Sequence, residues 1–188
     1  MDLQSTEVEH AIRLTQTWLE RIVIGLNLCP FAKSVYNKQQ IRYVVSSAQS
    51  CEALLDNLQE ELRFLAEQDP QTIDTTLLIH PYVLNDFLNY NDFLDDADQL
   101  LEKLGFLGTL QVASFHPNYQ FAGVAADDIT NYSNRSPFPM LHILREASID
   151  KAVVVFPDAE MITQKNIEAL QQLGFSKLNT LLAFAQRK

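Results

Sequence analysis

Apolar residues at Ala11, Ile12, Leu14, Trp18, Leu19, Ile22, Val23 and Leu26 recur at close to helical spacing. Residues 7–26 therefore read as an amphipathic helix, capped by Ser5 or Thr6 and ending near Gly25. Residues 27–38 read as irregular or as a short second helix. IRYVVS (residues 41–46) is compact and β-branched, the signature of a strand. Ser50 then caps a helix running to Gln68, with Leu54, Leu55, Leu58, Leu62 and Leu65 as its buried stripe and Asp69-Pro70 as its stop. TTLLI (75–79) is a second strand, 83–104 a largely helical stretch ending at Gly105, and GTLQVASF (108–115) a third strand.

Beyond the third strand the pattern gives a long polar loop, residues 115–139, and a helix over 137–147 with Ser136 as N-cap and Pro137 at its first position. KAVVVF (151–156) reads as a fourth strand and 159–173 as a closing helix that ends at Gly174. The tail, 175–188, carries Leu178, Leu181, Leu182 and Phe184 and suits a docked short helix. Strands alternating with helices predict an α/β or α+β single globular domain spanning 1–188. Its sheet would have about four strands, largely parallel or mixed.

Composition narrows the function classes. A 47% hydrophobic content in 188 residues fills a core without disulfides or structural metal. A net charge of -10 and the lack of any Lys/Arg run argue against nucleic acid as a partner. No apolar run approaches the roughly 18 residues of a membrane span. Residues 1–15 carry Asp2, Glu7 and Glu9 with no basic start, so no secretory leader is read and a cytoplasmic location is expected by elimination. Cys29 and Cys51 are then expected as separate thiols.

Candidate chemistry begins with a repeated dipeptide. His80-Pro81 and His116-Pro117 end the second and third strands, so parallel strands put two imidazoles at the carboxyl edge, where open α/β sheets bind ligands. Alternatively, each His caps a strand end and each Pro stops its ladder. Cys29 precedes Pro30; if Pro30 opens a helix, the thiol sits at its positive end one turn from Lys33, with a lowered pKa, or else fills the core as a small apolar side chain. Cys51 carries only the core reading.

The long loop holds Asn118, Tyr119, Gln120, Asp127, Asp128, Asn131, Tyr132, Asn134, Arg135 and Ser136, more polar groups than a connector needs. Asn134, Arg135 and Ser136 at a helix start suit an anion, or form an ordinary cap with an exposed Arg. His142 faces the site or is a core histidine, and Asp92, Asp95, Asp96 and Asp98 form a solvated helix face. Gly-rich phosphate loops, HExxH and CxxC are missing from the sequence, and the cofactor stays open.

The blocks GLNLCPFAK, TTLLIHP, DFLNYNDFLDDAD, LQVASFHPNYQFAG and NYSNRSPFPMLHILRE resemble those of a bacterial family catalogued only as a domain of unknown function, of similar length. The resemblance covers nearly the whole chain. It implies that Cys29, His80, His116, Tyr119, Asn134, Arg135, Ser136 and His142 lie in family motif blocks, and it carries over no reaction.

Three functions follow. An enzyme acting on a small anionic molecule would use His80, His116 and Cys29 as catalytic groups, with Arg135, Ser136, Asn134, Tyr119, Lys33 and His142 binding substrate. A metal-binding protein would use His80, His116 and Cys29, with Asp127 or Asp128. A non-catalytic module would grip a metabolite or a protein through the loop.

Overall fold

The structure is a computed structural model that describes residues 3–155 and 161–183. Helix α1 (Leu3–Trp18) continues into a π-helical turn, Leu19–Ile24. Gly25 closes that turn by donating to Glu20 O at 2.9 Å, and a Cβ there would collide with Arg21 O, so the wider turn requires a glycine. The short helix α2 (Ala32–Asn37) leads to strand β1 (Ile41–Val45).

Helix α3 (Cys51–Glu67) starts as expected, with Ser50 Oγ accepting from Ala53 N, and buries Leu54, Leu58, Leu62 and Leu65. Strand β2 (Thr75–Ile79), helix α4 (Phe87–Lys103) and strand β3 (Leu110–Phe115) follow the predicted order.

The next two elements exchange their expected identities. Residues expected to be helical, 137–147, hold strand β4 (Met140–Arg145), and the expected strand KAVVVF falls mostly in helix α5 (Glu146–Val155). Phe156 lies outside the described residues. β4 lies between β2 and β3, so it is covered by strands on both edges and by helices on both faces. Such a position favours a continuous apolar run such as MLHIL, whatever its local helix propensity.

The closing helix, α6 (Ile162–Leu182), passes through a kink at Gly174 (φ 72°) rather than ending there, and so takes in part of the tail. Residues 159 and 160 of the expected helix and 184–188 of the tail lie outside the described residues.

The four strands form a mixed sheet in the order β1-β2-β4-β3. β1 and β2 are parallel, and β4 runs antiparallel to both of its neighbours. β2 and β3 therefore point the same way even though a reversed strand separates them. Leu78, Leu141 and Ile143 face a core built with α3 and α4, while Leu77, Ile79 and Met140 face one built with α1, the π turn and α6. The chain is thus an α/β fold whose sheet has two separately filled faces.

Candidate functional site

Because β2 and β3 share a direction, their His-Pro ends reach the same edge of the sheet. His80 N donates to Pro139 O at 3.0 Å and His116 N to Asn134 O at 3.2 Å. Both imidazoles are buried and emerge on the α4 face, on either side of Tyr90. The Tyr90 ring centre lies 5.8 Å from that of His80 and 5.1 Å from that of His116. Phe87 lies 5.4 Å from His116 and 5.2 Å from Tyr119.

Tyr90, on α4, is not among the residues that the sequence singles out. Its hydroxyl donates to Met140 O at 2.8 Å and accepts from Phe115 N at 3.1 Å. Phe115 and Met140 are partners in the β3–β4 ladder, so the phenol bridges the last rung of the sheet. Tyr90→Phe strands a backbone N–H and a carbonyl in the interior and is expected to cost about 2 kcal/mol, read as a lowered urea midpoint.

The hydrogen bonds fix the tautomers. A carbonyl only accepts, so His80 Nδ1 carries the proton it directs at Val83 O, 3.1 Å away. The lone pair therefore sits on His80 Nε2, which is buried and has no hydrogen-bond partner. His116 is protonated on the other nitrogen: Nε2 donates to Leu84 O at 3.2 Å, and Nδ1 accepts from Asn118 N at 3.0 Å. The two rings thus hold consecutive carbonyls of the β2–α4 connector. Leu84 in that connector has φ 58°, a left-handed backbone that costs a leucine about 1–2 kcal/mol.

Burial lowers both imidazoles' affinity for protons. It pushes His80 down to about 4, against the hydrogen bond to Val83, and it lowers His116 despite the carbonyls of Leu84 and Asn85 and the charge of Asp86. Both rings are neutral at pH 7.

The loop's polar residues build the loop itself. Buried Asn131 accepts from Phe121 N at 3.0 Å and donates to Ala125 O at 2.8 Å. Asp128 caps the short 3-10 helix Ile129–Ser133 by accepting from Thr130 N at 2.8 Å. Asn134 Nδ2 donates to Ser114 O at 3.2 Å, and Ser136 Oγ donates to Phe138 O at 2.7 Å. Arg135 Nε donates to Tyr119 O at 3.1 Å and Nη2 to Ala126 O at 2.5 Å, with the guanidinium 4.6 Å from the Tyr132 ring centre. Trp18 Nε1 donates to Arg135 O at 2.9 Å and anchors the segment to α1. Since Ser136-Pro137 opens a turn leading to β4 and not a helix, the helix N-terminus expected to bind an anion there does not exist.

Of the predicted site residues, His116, Tyr119, Asn134 and Arg135 form one hydrogen-bonded network, in which His116 N donates to Asn134 O, Tyr119 N to His116 O and Arg135 Nε to Tyr119 O; His80 adjoins it through the Tyr90 ring, and Ser136 follows Arg135 in the chain. The rest lie apart. Cys29 packs into the core on the α1 and α6 face. Its helix begins at Ala32 with Phe31 as N-cap, later than the Pro30 start expected, and burial raises the thiol's pKa against the hydrogen bonds of Phe31 and Ala32. Lys33 is exposed on that helix. His142 pairs in register with Leu77, so it too faces α1 and α6; since the Thr75 hydroxyl donates to Ile143 O, His142 Nε2 donates to Thr75 Oγ1 at 2.7 Å.

Among the described residues no three His, Cys, Asp or Glu side chains gather as a metal would require, and Cys29 is on the wrong face to join the two imidazoles. Asp92, Asp95, Asp96 and Asp98 are exposed, as a solvated helix face should be. No helix among the described residues is long and apolar enough to cross a membrane.

Residues 10–180 match the family described as "Protein of unknown function (DUF1415)". The chain belongs to that family. The DUF1415 match spans every strand of the sheet and both His-Pro ends. No curated protein and no solved structure matches the sequence. The chemistry of this DUF1415 member therefore has to be argued from its own residues.

Proposed function

We propose that the protein is an enzyme acting on a small molecule at the carboxyl edge of β2 and β3, with His80 as its acid/base group. The reading is carried by one observation: His80 Nε2 bears a lone pair, is buried and has no partner, while the same ring's Nδ1 is held by Val83 O. A group fixed in its tautomer through one nitrogen and free at the other is arranged as a base in an acid/base site is.

Arg135 is the cation that the network offers to an anionic part of the substrate, through the guanidinium N–H groups not given to Tyr119 and Ala126. His116 holds the wall of the site, since both of its nitrogens are engaged. Cys29, on the opposite face, has no part in this reading, nor do Lys33 and His142.

The test is to incubate the protein with a metabolite extract and follow mass features over time. Features consumed by the wild type should persist with His80→Gln, at a rate reduced by roughly 100-fold or more for loss of a general base, while melting stays within a few degrees. A His80→Gln protein that turns over the same features, or a wild type that consumes none, would contradict the assignment.

A further inference from the structure

The chemistry of the substrate's reacting group follows from which hydrogen-bonding roles the buried edge has left to fill. Resting on the site reading above, we infer that the substrate atom facing His80 is a hydrogen-bond donor, a hydroxyl or an amine, and not an anionic oxygen.

Five buried side-chain atoms among the described residues have no hydrogen-bond partner: Thr15 Oγ1, Tyr43 Oη, Thr76 Oγ1, His80 Nε2 and Arg145 Nε. Three are hydroxyls, which rotate and so fix no direction for a partner, and Arg145 places its charge through Nη2. His80 has no such freedom. Its ring plane is set by the hydrogen bond to Val83 O and by stacking on Tyr90 at an interplanar angle of 18°, so the lone pair of Nε2 points in one direction.

Nothing else at this edge offers that lone pair a donor. The Tyr90 hydroxyl hydrogen is given to Met140 O, the His116 Nε2 hydrogen to Leu84 O, and Asn118 N to His116 Nδ1. The groups that line the edge are carbonyls already serving as acceptors, with the Asp86 carboxylate close enough to act on His116. An anionic oxygen at His80 would set one acceptor against another. A hydroxyl or amine would complete the one unfilled bond.

The way in is the β2–α4 connector that covers His80. It carries Leu84 in a left-handed backbone and an exposed Tyr82, whose hydroxyl reaches Glu7 at 2.9 Å. Opening it requires breaking the imidazole bonds to Val83 O and Leu84 O, and the left-handed strain released at Leu84 offsets part of that cost.

Matched pairs of small acids test the inference: lactate against propionate, glycine against acetate, and glycerol phosphate against propyl phosphate. Each pair keeps an anion for Arg135 and differs in the hydroxyl or amine. Calorimetry is expected to give the donor-bearing member of at least one pair an affinity roughly 10- to 100-fold above its partner, the cost of leaving a buried acceptor unpaired. The same ligand should shift the 15N resonance of His80 Nε2, and His80→Asn should erase the preference. Equal affinities within every pair, abolished by Arg135→Leu, would overturn the donor inference and leave the site reading standing. Binding by no member of any pair, with the Nε2 resonance unmoved, would overturn both.

Discussion

Arg145→Met is expected to be the most destabilising single substitution on the sheet, by about 3 kcal/mol or more. Arg145 sits near the end of β4, is 9% exposed, and sends Nη2 across the interior to Leu65 O, Gln68 O and Ile73 O, at 2.5, 2.8 and 3.3 Å. The first two carbonyls belong to the last turn and cap of α3, where Leu65 O otherwise accepts only from Gln68 N at 3.1 Å and a positive charge offsets the negative end of the helix dipole. Methionine fills the space but takes the donor from Gln68 O and Ile73 O and leaves Leu65 O with Gln68 N alone, and a charged donor is worth more than a neutral one. For a chain of this size the loss corresponds to a melting temperature lower by roughly 10 °C, measurable by calorimetry. A drop of under about 2 °C would show that water replaces the guanidinium without penalty.

Acid is expected to unfold the protein through its imidazoles before its carboxylates. His80 has a pKa of about 4 in the folded chain, against 6.5 for an ordinary histidine. As the pH falls through 6.5 the unfolded chain takes up the proton first, so stability is full above 6.5 and declines until about 4, where the folded form is protonated as well. The loss attributable to His80 alone is about 3 kcal/mol. His116 and His142 add to it with the same sign, since burial lowers both. Urea midpoints at pH 7.5 and pH 5 should therefore differ strongly, and His80→Gln should remove the His80 share of the difference while the His116 and His142 shares persist. An unchanged midpoint would mean that the imidazoles gain solvent on protonation.

The two His-Pro ends were legible because strand termini and proline have local signatures, and the expectation that both imidazoles reach one edge holds. It holds for a reason the sequence concealed. MLHILR carries the leucines and methionine of a helix behind a Ser-Pro start, and KAVVV carries the β-branched residues of a strand. What assigns the first to the sheet is its place between β2 and β3, buried on all sides. That leaves KAVVV to follow as helix α5, beginning where Glu146 N donates to Thr109 O at 3.0 Å. Only tertiary pairing makes that choice.

The same limit explains Cys29 and Tyr90. Which face of the sheet a segment covers is not encoded in its own periodicity, so Cys29 was grouped with imidazoles from which the sheet separates it. Tyr90 occupied a helical apolar position, and its hydroxyl's role depends on two strand ends remote in sequence. The loop's richness in Asn, Asp, Ser and Arg was correctly noticed. Much of it serves the loop's own backbone, as a long connection without regular structure requires.

The central claim, that His80 keeps a buried, unpartnered lone pair on Nε2, is tested most directly by long-range 1H–15N correlation spectra of the imidazoles across a pH series. His80 is expected to remain in the Nδ1–H form, with Nε2 at the shift of an unprotonated nitrogen from pH 8 down to about pH 5. A His80 ring protonated on Nε2, or one that titrates near 6.5 in the folded protein, would contradict it.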